Sequence, residues 1–197
     1  SAVTQFLPSD LATFAAAQPG IRIELHEADS HEAVLAVLDG RADLGIFAER
    51  TPELGLHTLP YRQDQLVLVV PAGHPLARKR QVRFEDAAAY DFVSLSQATS
   101  LAQRLQLESR RHGIALRVRI HVRSFDAMCQ MVAAGLGIAV LPAKAVRPLV
   151  KALGLRQIDI AEDWTQRQLL LGLRDPDALA RPVRTLLEHL TAPTAGA

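Results

Sequence analysis

The stretch VRSFDAMCQMVAAGLGIAVLP, residues 122–142, reads as a strand end, a capped amphipathic helix, a glycine stop and a buried strand in succession. Ser124 is placed to cap the helix, because a serine hydroxyl accepts from the free N–H groups of a first turn. Asp126 follows in that turn, where negative charge is favoured. Met128, Met131 and Val132 recur at i, i+3, i+4 and share one apolar face. Gly135 or Gly137 can take the left-handed conformation that ends a helix. Residues 138–141 (IAVL) form a short apolar run, as expected for a strand covered on both faces. Such a unit belongs to an α/β domain.

Working outward, the same alternation recurs. Phe6, Leu7, Leu11 and Phe14 stand at helical spacing, and Pro19-Gly20 closes that helix. Ile21, Ile23 and Leu25 alternate with polar residues and read as a half-buried strand. Asp29 or Ser30 caps a helix with Val34, Leu35, Val37 and Leu38 inward, and Gly40 stops it. DLGIF (43–47) and QLVLVV (65–70) are short buried strands, and residues 72–89 are a looser polar connection. DFVSL (91–95) is a strand, residues 101–112 a helix stopped by Gly113, and Val118, Ile120 and Val122 an alternating strand. After residue 142 come a short helix broken at Pro148, strands over 155–160 and 168–173, and a last helix with Pro182 in its first turn. Alternating strands and helices predict parallel sheets covered by helices, in two similar lobes. The second series starts on a strand and the first on a helix, so a strand is expected before Ser1.

Composition narrows the function classes. The chain has 197 residues, 49% of them hydrophobic, which is enough for a full apolar core. Its 22 basic and 21 acidic residues leave a net charge of +1 and no large basic surface for nucleic acid. Arg78-Lys79-Arg80 reads as a solvated loop. The one cysteine, Cys129, excludes an internal disulfide and reads as a small buried hydrophobe. No apolar run is long enough to span a bilayer. None of the seven histidines has metal-ligand spacing, and Leu35 stands where a second zinc ligand would follow His31-Glu32. Gly135-Leu136-Gly137 precedes a strand, whereas a dinucleotide loop follows one. No P-loop lysine and no nucleophile elbow occur. No metal, cofactor or catalytic assignment is expected.

What recurs is a set of hydroxyl residues at expected helix starts. Ser1 and Thr4 precede the first helix, Ser30 the second, Ser96, Thr99 and Ser100 the third, and Ser124 the fourth. Each alone reads as ordinary capping. In a doubly wound sheet, however, helix N-termini lie beyond the carboxyl ends of the strands, where ligands bind. Hydroxyls and free N–H groups there make an anion site without lysine or arginine.

Four stretches in this order resemble the effector-binding region of LysR-type transcriptional regulators. They are SAVTQFLPSDLATFAAAQPGIRIEL (1–25), LAVLDGRADLGIF (35–47), LVLVVPAGHPLA (66–77) and MVAAGLGIAVLP (131–142). The resemblance covers residues 1–190. It implies an α/β fold of two doubly wound lobes with a hinged cleft, like type 2 periplasmic binding proteins. Lobe I would hold residues 1–70 and 168–197, and lobe II residues 71–167. It also implies a helix-turn-helix DNA-binding domain before Ser1, so that DNA is bound only through that absent part. A homodimer or tetramer, a cytoplasmic location and a small organic anion as effector, with no membrane contact, belong to the same picture.

Carried over by position, the effector contacts fall at Ser1, Val3 and Thr4, and at the end of DLGIF, Phe47 and Ala48. In the second lobe they fall at Ser96, Ala98, Thr99 and Ser100, and at Ser124 and Phe125. Some members place a hydroxyl residue just after DLGIF. Here Phe47-Ala48 stands instead, and Phe47 is expected to narrow the cleft or pack on a flat ligand. A periplasmic solute receptor of the same architecture is the alternative. An enzyme on this fold has no residue support beyond analogy.

Overall fold

The computed structural model describes residues 5–192. In chain order its elements are α1 Leu7–Ala17, α2 Ser30–Leu38, β1 Gly45–Ala48, β2 His57–Pro71, β3 Gln81–Val82, α3 Phe84–Ala87, β4 Asp91–Leu95 and α4 Ser100–Arg111. There follow β5 Arg117–Val122, α5 Phe125–Ala133, β6 Ala139–Pro142, α6 Ala143–Ala152, β7 Leu155–Ile160, β8 Gln166–Leu173 and α7 Arg181–Thr191. Short 3-10 turns occupy Pro75–Arg78 and Asp163–Thr165. The chain divides into two compact units, one holding it up to Gln63 and again from Gln168, the other Asp64–Arg167. The first crossing therefore falls seven residues before the expected boundary at Val70. Residues 66–70 belong to the second unit because they pair with β6 and β7 there.

In the first unit, β1 pairs antiparallel with β8, from Gly45 opposite Gly172 to Ala48 opposite Leu169. Leu7, Tyr61, Leu169, Leu171, Leu173 and Leu190 form one core cluster, and Val34, Val37, Phe47 and Leu56 another. Asp29, not Ser30, caps α2, its carboxylate accepting from the Glu32 N–H at 2.9 Å. Gly40 ends that helix at φ 72°, a conformation glycine adopts without steric cost. A polar clamp closes the unit. Asp10 on α1 accepts from the Tyr61 hydroxyl at 2.6 Å and from Arg62 at 3.0 and 3.2 Å, while Arg62 also donates to the Leu190 carbonyl at 3.1 Å. Three elements are thus tied through one guanidinium.

The expected strand at residues 21–25 is not formed. Ile23 is 36% exposed and Leu25 50%, although their alternation fits a half-buried strand. A strand needs ladder partners for its N–H and C=O groups and cover for its apolar face. No described segment pairs with it.

In the second unit, β2 lies between β6 and β7, antiparallel to both, and β3 runs parallel to β7. β4 and β5 are parallel, and a parallel bridge from Phe92 to Ile138 joins β4 to the start of β6. The sheets are therefore mixed rather than all parallel, because β2 and β8 run against their neighbours. The quoted stretch folds as read. Ser124 caps α5, Met128, Cys129 and Val132 are buried, and Gly135 takes φ 76°. Burial, together with the Asp126 charge, pushes the Cys129 thiol up to about 11, so it stays protonated and packs as a hydrophobe.

Two expectations fail in this unit. Residues 72–89 are not a loose connection, because Leu76, Val82, Phe84 and Ala87 are buried in its core. His74 caps the 3-10 turn there, its Nδ1 accepting from the Leu76 N–H at 3.2 Å. α6 also runs through Pro148 to Ala152. Proline removes one helix hydrogen bond, but Val146, Leu149, Val150 and Leu153 anchor the helix to the core on both sides of it.

Candidate functional site

In the second unit the Ser96 N–H donates to the Val122 carbonyl at 3.0 Å. That bond joins the turn after β4 to the end of the parallel neighbour β5. The starts of α4 and α5 are thereby brought side by side at the carboxyl ends of two adjacent strands. Thr99 caps α4, accepting from the Ala102 N–H at 3.3 Å while donating to the Ser96 carbonyl at 2.9 Å. Ser124 caps α5, accepting from the Ala127 N–H at 3.1 Å. Ser96, Ala98 and Ser124 are exposed, and Thr99, Ser100 and Phe125 half-buried. The Ala98 carbonyl accepts from the Gln103 amide at 3.3 Å, which steadies the turn.

The charges at the helix starts differ. α2 carries Asp29 and Glu32 at its start, and α5 carries Asp126. α4 has no acidic residue in its first turn. Since a helix N-terminus attracts negative charge, a carboxylate of the chain itself already serves α2 and α5. α6 and α7 also lack an acidic first turn, but of the two starts at the carboxyl ends of β4 and β5, α4 is the one with that attraction unspent. Arg123, directly before Ser124, is exposed and makes no ion pair among the described residues. Sequence reading passed over it because a lone arginine at a strand end is ordinary.

In the first unit Ser30 opens α2, and its hydroxyl accepts from the Ala48 N–H at 3.2 Å. The Ala48 carbonyl accepts from the Thr51 hydroxyl at 2.7 Å. The end of β1 and the start of α2 thus form one tied corner. Phe47 does not fit its expected role. It is 2% exposed and packs with Val34, Val37 and Leu56 in the unit's own core. A Cβ on Gly172 would fall 2.5 Å from its ring, so the glycine is what admits the phenyl group. Alternation along β1 sends residue 47 inward, and the hydroxyl near this strand end is Thr51, itself buried. Ser1, Val3 and Thr4 lie outside the described residues. Among the described residues no group of three or more His, Cys, Asp or Glu is placed to hold a metal ion. No described helix is long and apolar enough to cross a membrane.

Two α/β units of this topology, with helix starts gathered at strand ends, define a small-molecule binding domain of the type 2 periplasmic-binding-protein kind. The family model for the LysR substrate binding domain matches residues 1–194, and the chain belongs to that family. The regulatory domain of Synechocystis CcmR, in complex with 2-PG, superposes with a TM-score of 0.87 at 26% identity, over 95% of this chain and 90% of that one. The effector binding domain of QuiR in complex with shikimate superposes at 0.84, with 18% identity over 94% and 88% of the two chains. The transcriptional activator protein LysR of Escherichia coli is 29% identical over 95% of this chain and 60% of its own length. A probable RuBisCO transcriptional regulator of Trichormus variabilis is 28% identical over 73% of this chain and 44% of its own. The chain thus spans about half the length of these regulators. The curated relatives are transcriptional regulators, not enzymes.

Proposed function

We propose that the chain is the effector sensor of a cytoplasmic LysR-type transcription regulator, and that its effector is a small organic anion. The observation that carries this reading is the start of α4. There Thr99 caps a helix without an acidic first turn, and the Ser96–Val122 hydrogen bond sets it beside the Ser124 cap. A helix start with free N–H groups, hydroxyls and no competing carboxylate suits an acid group of a ligand. In this reading Ser96 and Ser100 hold that group, the Thr99 hydroxyl turning its one proton from the Ser96 carbonyl to the acid on binding, with Arg123 as counter-charge and Ala98, Ser124 and Phe125 at its border. In the first unit the corresponding candidates are Ser30 and the Ala48 backbone. Binding would set the geometry of the regulator's oligomer on DNA, the DNA being held by a part of the protein outside this sequence.

A thermal-shift screen of organic acids against their neutral analogues tests the anion. Ligand that prefers the folded state raises the melting temperature. Acids should stabilise the domain where the matching amides and alcohols do not. Stabilisation by neutral or cationic compounds alone would overturn the reading.

Self-association belongs to the same proposal. Leu107 on α4 is 41% exposed, Ile23 36% and Leu25 50%, and Ala12, Ala15 and Ala16 line an exposed side of α1. These surfaces suit a two-fold contact in which each patch is used twice. Sedimentation at micromolar concentration should give about twice the 21.5 kDa chain mass, and Ala16→Arg should lower it. A monomer at every concentration would remove this part of the proposal for the domain alone.

A further inference from the structure

We propose that the second unit holds a binding site of its own beneath α4, shaped for a compact apolar carboxylic acid, and independent of the effector reading above. A cavity of about 270 Å³ lies between this helix and strands β4 and β5. Ala102, Leu105, Gln106, Ser109 and Arg110 line it from the helix. Their spacing of i, i+3, i+4, i+7 and i+8 is that of a single helical face.

The strand side depends on an irregularity. Phe92 pairs with Val118 but Val93 pairs with Ile120, so Arg119 is an extra residue in β5. Unbroken alternation would keep residues 118, 120 and 122 on one face. The extra residue reverses the alternation beyond it. His121 then stands opposite Ser94, and both line the cavity together with Phe92 and Val118. Bulges that re-aim a side chain in this way gather at functional sites.

The lining chemistry names the ligand class. Phe92, Leu105, Leu116 and Val118 make apolar walls. The polar groups are hydroxyls, amides, an imidazole and the Arg110 guanidinium, and no carboxylate lines the cavity. Ser94 is 6% exposed, and its hydroxyl has no hydrogen-bond partner among the described residues. The His121 Nδ1–H donates to the Leu95 carbonyl at 3.1 Å, which holds the ring at the cavity wall. Arg110 is exposed and makes no ion pair among the described residues. A serine hydroxyl open to the cavity and an unpaired guanidinium at its edge, on apolar walls, suit a hydrocarbon body ending in an acid group. An apolar cavity of about 150 Å³ takes a benzene ring, so this one takes a molecule of about ten heavy atoms.

The test is methyl NMR of the domain titrated with phenylacetate, with phenylacetamide as the neutral comparison. Phenylacetate should shift the methyl signals of Leu105, Leu116 and Val118 at millimolar concentration or below. Ala102→Leu, which fills the cavity, should abolish those shifts. Arg110→Gln, on an exposed side chain, should weaken phenylacetate about tenfold and leave phenylacetamide unchanged. The proposal is overturned if these methyls do not respond, if they respond equally in Ala102→Leu, or if acid and amide bind alike.

Discussion

Asp64→Ala is expected to lower the stability of the second unit by about 3–5 kcal/mol. Arg167 donates to the Asp64 carboxylate, and the two side chains are 9% and 1% exposed. Asp64 directly follows one crossing between the units and Arg167 directly precedes the other. The pair therefore ties together the two strands that carry the chain across. Truncating the acid strands a guanidinium that is out of water, and that desolvation is the larger part of the loss. Replacing both partners, as Asp64→Leu with Arg167→Met, removes the stranded charge and should recover most of it. The single tryptophan, Trp164, is buried in this unit beside Phe84, with ring centres 5.1 Å apart. Its fluorescence during urea unfolding reports the loss. A shift of under about 1 kcal/mol, the scale of an exposed pair, would refute the assignment.

Phe47→Ala is expected to cost about 3–5 kcal/mol of stability in the first unit, with little change in ligand affinity. The ring fills the space between α2 and β8, against Val34, Val37, Leu56 and Gly172. The surrounding backbone can collapse only partly on the cavity left behind. The family position points the other way, toward ligand contact, and the two roles separate cleanly. A core residue loses melting temperature and keeps affinity; a contact residue does the reverse. Thermal melting beside calorimetric titration of an effector acid distinguishes them.

The difference between these two sites and the rest of the chain shows what the sequence carries. Residues 122–142 are legible because every signal in them is local: a capping hydroxyl, a 3.6-residue apolar period, a left-handed glycine and an apolar run. DFVSL and the α4 boundaries are legible for the same reason. The opposite holds at residues 21–25, where alternation promises a strand and no described partner pairs with it. Residues 57–64 (HTLPYRQD) lie outside the strand expected over 65–70, yet they are strand: β2 pairs with β8, and Tyr61 is fixed by Asp10 and Asp64 by Arg167. Those partners are 51 and 103 positions away, and no window of sequence contains them. The extra residue at Arg119 is invisible for a related reason. It is a property of pairing with β4, not of β5 alone.

The candidate site divides similarly. Thr99 and Ser124 were legible as caps, and both are caps. That α4 and α5 start side by side follows from strand order, which the sequence does not state. That α4, unlike its neighbour α5, starts without its own carboxylate was present in the sequence, in Ser100, Leu101 and Ala102, but gains meaning only when the two starts are known to be neighbours.

The central claim is that the start of α4 holds the acid group of the effector. Its direct test is calorimetric titration of the unmodified domain and of Thr99→Ala with one acid that stabilises the domain. Loss of a hydrogen bond to a charged group, about 1.5–3 kcal/mol, corresponds to roughly ten- to 150-fold weaker binding. Loss of a cap alone costs about 0.5–2 kcal/mol of folding stability and leaves affinity in place. Affinity lowered at least tenfold in a folded variant is the result the claim predicts. Equal affinity with a lower melting temperature would contradict it and leave Thr99 as a helix cap and nothing more.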